Sequence, residues 1–218
     1  MARSSDLTAS TVKPPTARIS CIILAAGTSS RMGPDNKLLL PWEDQVVVDT
    51  VINTISSLNP FEVIVVTSEI TAAHFSTGNN LKIVDNPQYQ TGMTSSIKAG
   101  VTAAQDKSDG YMICLGDQPT LTAATYKKIL STFSASISKN KASIIAPFYN
   151  GSKGNPVLFS SMYRQDILEH KEPEGCKKII QSNANQLIKL EVDDESVLLD
   201  MDTPEKYREI RKRFLGIE

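Results

Sequence analysis

Cysteine is scarce. The 218 residues hold three, Cys21, Cys114 and Cys176, odd in number and far apart. That spacing fits neither a disulfide framework nor a CxxC metal clip. No charge sign dominates either, with 23 basic residues against 24 acidic. Binders of nucleic acid or anionic membranes usually carry a basic excess or stripe, so neither partner is expected. Long apolar runs are missing too. The longest, Cys21 to Ala26, is far short of a bilayer span, and the first residues lack the apolar core of a signal peptide. The expectation is a cytoplasmic chain. His74 and His170 have no motif around them, and no catalytic triad can be assembled. What is present is an ordinary globular mixture, 40% hydrophobic and 22% charged, long enough for one domain with a real core.

Residues 1 to 17 are rich in Ser, Thr and Pro and carry neither a two-residue nor a 3.6-residue period. They read as a mobile tail, leaving 18 to 218 as the single domain. From Ile19 the pattern alternates. Apolar, β-branched runs at 19–24, 62–67, 81–84 and 111–115 read as strands, with further strands at 143–146, 157–159 and 187–192. Helical spacing appears over 46–58, 94–104, 122–137, 161–168 and 174–182. Thr203-Pro204-Glu205 opens a last helix with a hydroxyl cap, a proline in the first turn and an early acid. Such alternation predicts an α/β sandwich, a mostly parallel sheet covered on both faces. Sheets of that kind bind ligands at the carboxyl ends of their strands.

The unusual residues lie just there. Leu24-Ala25-Ala26-Gly27-Thr28-Ser29-Ser30-Arg31-Met32-Gly33 follows the first strand, with Lys37 four residues on. Small residues at 25 to 27 let backbone N–H groups approach an anion, and Arg31 and Lys37 add two cations. The loop is neither a Walker loop nor GxGxxG; it is a phosphate grip or a turn with two solvated cations. Gly116-Asp117-Gln118-Pro119 ends another strand, where Asp117 could hold Mg²⁺ near phosphates or simply favour a turn. Asp85 to Ser96 carries Gly92 and several hydroxyls before a helix, so Thr94 is either ligand-facing or the helix cap. The Lys153-Gly154-Asn155-Pro156 turn could present Asn155 to a substrate or only reverse the chain. Asp200 and Asp202, one residue apart in an extended segment, point the same way and could share a cation or favour the following helix dipole.

Together and in order, these motifs resemble the MobA-like nucleotidyltransferases. LAAGTSSRMG with Lys37 looks like the family's signature LAAGxSxRMG…K, and GDQP, GNPV and DMDTP also match, so the resemblance runs from about Ile19 to the carboxyl end. The Ala-Ala-Gly loop and GDQP look most like the branch that cytidylylates the molybdenum cofactor; the guanylyl branch typically has Ala-Gly-Gly. One segment departs. Where that branch has Gly-Asp-x-Gly-Ala-Arg, this chain reads Glu172-Pro173-Glu174-Gly175-Cys176-Lys177-Lys178, which puts the acceptor's identity in question.

The resemblance implies a Rossmann-like three-layer α/β/α fold, an NTP donor and Mg²⁺. It implies transfer of a nucleoside monophosphate, CMP from CTP, to the phosphate of a small acceptor such as molybdopterin, with release of pyrophosphate and with a molybdoenzyme or its chaperone as a possible partner. Arg31 and Lys37 would be catalytic; Asp117 and Asp202 would hold the metal. Leu24, Ala25, Ala26, Gly27, Asn86 and Ser95 would meet the nucleotide and Asn155 the acceptor. Two other readings stay open: nucleotidyl transfer to a sugar or polyol phosphate, and a non-catalytic nucleotide-binding factor for molybdoenzyme maturation.

Overall fold

The computed structural model describes residues 17–32, 35–75 and 81–217. The tail expected over residues 1–17 lies, save for its last residue, outside them. The chain forms β1 (Ile19–Ala25), a short hairpin of β2 (Pro41–Trp42) and β3 (Gln45–Val46), α1 (Val47–Ser56), β4 (Glu62–Thr67), β5 (Leu81–Asp85), α2 (Met93–Ala103) and β6 (Gly110–Leu115). Next come α3 (Ala123–Ile137), β7 (Ile144–Tyr149), β8 (Ser152–Lys153), β9 (Val157–Ser160), α4 (Arg164–Glu169), α5 (Lys177–Ser182), β10 (Leu187–Glu191) and α6 (Pro204–Leu215). Among the described residues, no helix is long and apolar enough to cross a membrane.

The main sheet runs β10-β7-β9-β6-β1-β4-β5. β1 is its hub, parallel to β4 on one side and β6 on the other. Strand alternation separates its side chains. Cys21, Ile23 and Ala25 pack with Val51 and Ile55 of α1 and with Ile129 and Phe133 of α3. Ile22 faces the other way and packs with Ile97 and Val101 of α2 and with Ile179 of α5. Both faces are therefore covered, which gives the three-layer α/β/α sandwich. Gly100 makes one contact possible: a Cβ there would stand 2.3 Å from Ile22 Cγ2. A third small cluster joins Trp42, Val47, Met201 and Ile210, fastening α6 beside the hairpin.

One detail escaped the strand pattern. β9 runs antiparallel to both β6 and β7, because β7 is followed by a tight reversal into β8. Asn150 and Gly151 form its two-residue loop, with φ of 49° and 77°. Asn-Gly with both residues at positive φ is a type I′ signature, and it was visible in the sequence. The chain leaves β1 to build β4 and β5 on one side, then returns through α2 to β6 on the other. That reversal makes a crevice at the carboxyl ends of β1 and β6, the usual ligand position in such sheets.

Candidate active site

The loop after β1 is set by a short chain of side-chain hydrogen bonds. Ser29, at φ 49°, accepts from the Lys37 backbone N–H at 3.2 Å and meets Asn36 Oδ1 at 3.2 Å. Asn36 Oδ1 also accepts from Leu38 N–H at 3.0 Å, capping the single helical turn Lys37–Leu39. Lys37 thereby projects over the crevice. Across it, Gly116 passes so close to β1 that a Cβ would lie 2.8 Å from the Leu24 carbonyl oxygen. Only glycine permits that approach, and it delivers Asp117, 7% exposed, into the same space. The third contributor is the strand-like segment before α6. Met201 is buried in the core, so Asp200 and Asp202, on either side, turn outward to the crevice.

These pieces converge. Lys37 Nζ lies 2.5 Å from Asp117 Oδ2 and 2.6 Å from Asp202 Oδ1. Arg31 Nη2 reaches the other oxygen of Asp202 at 2.6 Å. Burial opposes the Lys37 charge, but Asp117 and Asp202 outweigh it and hold the ammonium above its ordinary pKa. Burial likewise opposes ionisation of Asp202, and Lys37 with Arg31 overcomes it, lowering that carboxyl. Asp200 goes the other way, raised by burial and by its neighbours Asp202 and Asp117. Lys37 is thus kept cationic where negative charge gathers.

Three clefts share Met93 and Leu115 in their walls, and the first two also share Lys37 and Asp117. The first, about 280 Å³, is bounded by Leu24, Ala26, Gly27, Gln90, Gly92 and Ser96. The second, also about 280 Å³, runs along Gly27 to Arg31 to Lys37, Asp117, Asp200 and Asp202. The third, about 250 Å³, has an apolar floor of Ile97, Val157 and Phe159 and a rim of Lys153, Asn155 and Lys177. Burial and the neighbouring Lys177 pull the Lys153 ammonium below its ordinary pKa.

The structure brings together Arg31, Lys37, Asp117 and Asp202, and sets Leu24, Ala26 and Gly27 along the first cleft and Asn155 along the third. Three residues lie elsewhere. The Ala25 side chain is in the core on the sheet's other face, as strand alternation requires, and its carbonyl accepts from the Thr71 hydroxyl. Asn86 is buried, its amide donating to Ser95 and Ser96 hydroxyls at 2.9 and 3.0 Å while Oδ1 accepts from Gln88 N–H. Ser95 in turn donates within the loop, to Gly92 and Gln88 carbonyls. Asn86 and Ser95 thus shape the wall, and Ser96, one residue on, lines it. Nor is Thr94 the cap of α2; Gly92 occupies that position. Ser96 belonged to the hydroxyl-bearing segment singled out in the sequence; Met93 and Leu115 carried no signal there because their types are unremarkable.

The Asn155 turn rests on a close backbone approach. Gly154 N–H donates to Pro147 O at 2.8 Å and Asn155 N–H to Val197 O at 2.9 Å. A Cβ on Gly154 would stand 2.5 Å from the Val197 carbonyl oxygen. Gly154→Ala is expected to cost about 1–3 kcal/mol, read as a lower urea midpoint with an unchanged slope.

A doubly covered α/β sheet with a small-residue loop, two cations and converging carboxylates at its switch point is the construction of a protein that handles a phosphorylated ligand. The chain belongs to the MobA-like NTP transferase family, whose domain matches residues 21–187. It is 30% identical over 201 residues to the molybdenum cofactor cytidylyltransferase of Escherichia coli K12, covering 91% of this chain and 98% of that protein. It is 26% identical over 195 residues to nicotine blue oxidoreductase of Paenarthrobacter nicotinovorans, covering 85% and 92%. Among solved structures, Rv0371c of Mycobacterium tuberculosis H37Rv matches with a TM-score of 0.77 at 24% identity, over 89% of this chain and 98% of that one. Its complex with manganese matches at 0.70 and 22%, over 89% and 98%. These two likenesses concern the fold.

Proposed function

We propose that this protein transfers CMP from CTP to the phosphate of a molybdopterin-type acceptor and releases pyrophosphate. The observation that carries the reading is the convergence of Lys37, Asp117, Asp202 and Arg31 beside the Ala26-Gly27 loop. The relation to the E. coli cytidylyltransferase over nearly the whole of both chains supports the choice of CTP and acceptor.

The chemistry follows from charge. A phosphate monoester, with its second pKa near about 6, is mostly dianionic at neutral pH and needs no general base. One of its oxygens attacks the α-phosphorus, a P–O bond forms, and the bond to pyrophosphate breaks, its electron pair leaving with the pyrophosphate. Arg31, Lys37 and the loop N–H groups bind the triphosphate and offset the charge that builds up during transfer. Asp117 and Asp202 suit a hard divalent cation: one oxygen of each already reaches the same ammonium, and Mg²⁺ accepts one or two carboxylates plus phosphates. Bound there, Mg²⁺ would supply further neutralisation of phosphate charge. The manganese complex of Rv0371c supports a divalent cation in this family fold. The acceptor lies in the third cleft, its body against the apolar floor and its anionic portion near Lys153, Asn155 and Lys177.

The base occupies the first cleft. Ala26 puts a methyl where the guanylyl branch has glycine, narrowing the space beside the base. CTP should therefore be preferred to GTP, with Ala26→Gly relaxing the choice without reversing it. One methyl discriminates by about 1–3 kcal/mol, and hydrogen bonds to the cytosine edge supply the rest. Equal kcat/KM for the two nucleotides would remove the cytidylyl assignment.

The test has two stages. A thermal-shift panel of the four NTPs with Mg²⁺ should single out CTP, because selective binding stabilises by mass action, by about 2.7 kcal/mol at a hundredfold excess over Kd. Pyrophosphate release with molybdopterin, followed by mass spectrometry for a CMP-linked product, then decides the reaction. A CMP-linked sugar or polyol phosphate would instead change the acceptor. Nucleotide binding without pyrophosphate release from any acceptor would make the protein a binding module. The relation to a protein named for oxidoreduction is the reason that binding alone does not suffice.

A further inference from the structure

Thr94 links the first and third clefts. It is the second residue of α2 and is 7% exposed. Its hydroxyl donates to the Glu172 carbonyl and accepts from the Gly175 N–H at 3.0 Å. Its own N–H donates to the Pro173 carbonyl at 3.4 Å. One side chain thus bridges two points of a segment about eighty positions further along. The neighbouring residues leave no slack. Gly92, at φ 112°, has no room for a Cβ, which would stand 2.8 Å from the Pro173 carbonyl oxygen. Gly175, at φ 74°, lies so close to Met93 that a Cβ would meet its sulfur at 3.1 Å.

The two clasped segments serve different clefts. Gly92, Met93 and Ser96 line the first. Glu174, Cys176 and Lys177, directly beyond the clasp, line the third. A ligand that stiffens the turn at 90–96 must therefore also restrain 172–177, and by linkage the reverse holds to the same degree. We infer that Thr94 is a positioning residue through which the nucleotide cleft and the acceptor cleft are coupled, each ligand raising the affinity for the other. This rests on the reading that the first cleft takes the nucleotide and the third the acceptor. It also accounts for a buried hydroxyl at a helix start that caps nothing.

Hydrogen exchange on the full chain, with CTP and Mg²⁺ as the probe and a thermal shift recorded beside it, tests the coupling. In the wild type, CTP should slow exchange over residues 172–177 by roughly fivefold or more. Thr94→Val should keep the CTP-induced rise in Tm and lose the slowing; Thr94→Ser, which retains the hydroxyl, should keep both. A merely structural threonine would speed exchange in the ligand-free valine variant and leave the CTP effect intact, and that result overturns the coupling. So does a wild-type protein whose Tm rises with CTP while 172–177 exchange as before, a comparison that decides by itself if the valine variant does not fold. Absence of a thermal shift with all four NTPs removes the nucleotide reading, and the coupling with it.

Discussion

Lys37→Ala should lower turnover at saturating NTP roughly 100- to 1,000-fold, the loss typical of removing one group that stabilises developing charge. The ammonium is held above its ordinary pKa by Asp117 and Asp202, so it is charged across the working pH range. The same substitution acts on stability. Lys37 and Asp117 side chains are 14% and 10% exposed, and alanine would leave the buried Asp117 without its cation while Asp202 keeps Arg31. Breaking such a pair costs about 3–5 kcal/mol. Added Mg²⁺ should recover part of the lost Tm, because the vacated space lies between two hard oxygen ligands, while turnover stays low. Steady-state pyrophosphate release and thermal melts with and without Mg²⁺ measure both effects. Unchanged turnover would remove Lys37 from the chemistry.

Asp117→Asn should abolish Mg²⁺-dependent activity and spare the fold. A neutral amide is a poor ligand for a hard cation, yet it nearly preserves the volume of the carboxylate. Lys37 keeps its second partner, Asp202, so no buried charge is left alone. Asp202→Asn should also lose activity, with Arg31 released as well, since Arg31 bonds the same carboxylate. The measurement is a Mg²⁺ titration of pyrophosphate release, with circular dichroism to confirm folding. Full activity of Asp117→Asn at ordinary Mg²⁺ concentrations would show that the metal is held by other groups.

Local signals survived the passage from sequence to structure well. α3 begins where the hydroxyl of Thr122 caps it, accepting from the Thr125 N–H, and α6 begins at Thr203 and Pro204 as its cap pattern required. The buried strands at 62–67 and 111–115 are legible because both faces of a covered parallel sheet demand apolar residues. Helix 174–182 is shorter than its pattern, starting at Lys177, because Gly175 adopts positive φ against Met93. Segment 161–168 opens with a turn of 3-10 helix before α4. Near the ligand clefts, Asn86 and Ser95 are taken up by hydrogen bonds within their own loop, whereas Ala25 is turned away by strand alternation. Ala25 and Ala26 are alike in type, and only strand alternation sends one into the core and leaves the other at the cleft.

The residues alone determined the α/β class, the small-residue loop after β1 and the two cations it carries. Each of these is written within a few neighbouring positions, in a period, a cap or a run of small residues. The tertiary structure alone decided that Lys37 meets carboxylates 80 and 165 residues away, that β9 inserts between β7 and β6, and that Thr94 holds the segment beside the third cleft. Such contacts depend on strand order and on where the chain reverses across β1, and no local pattern encodes either.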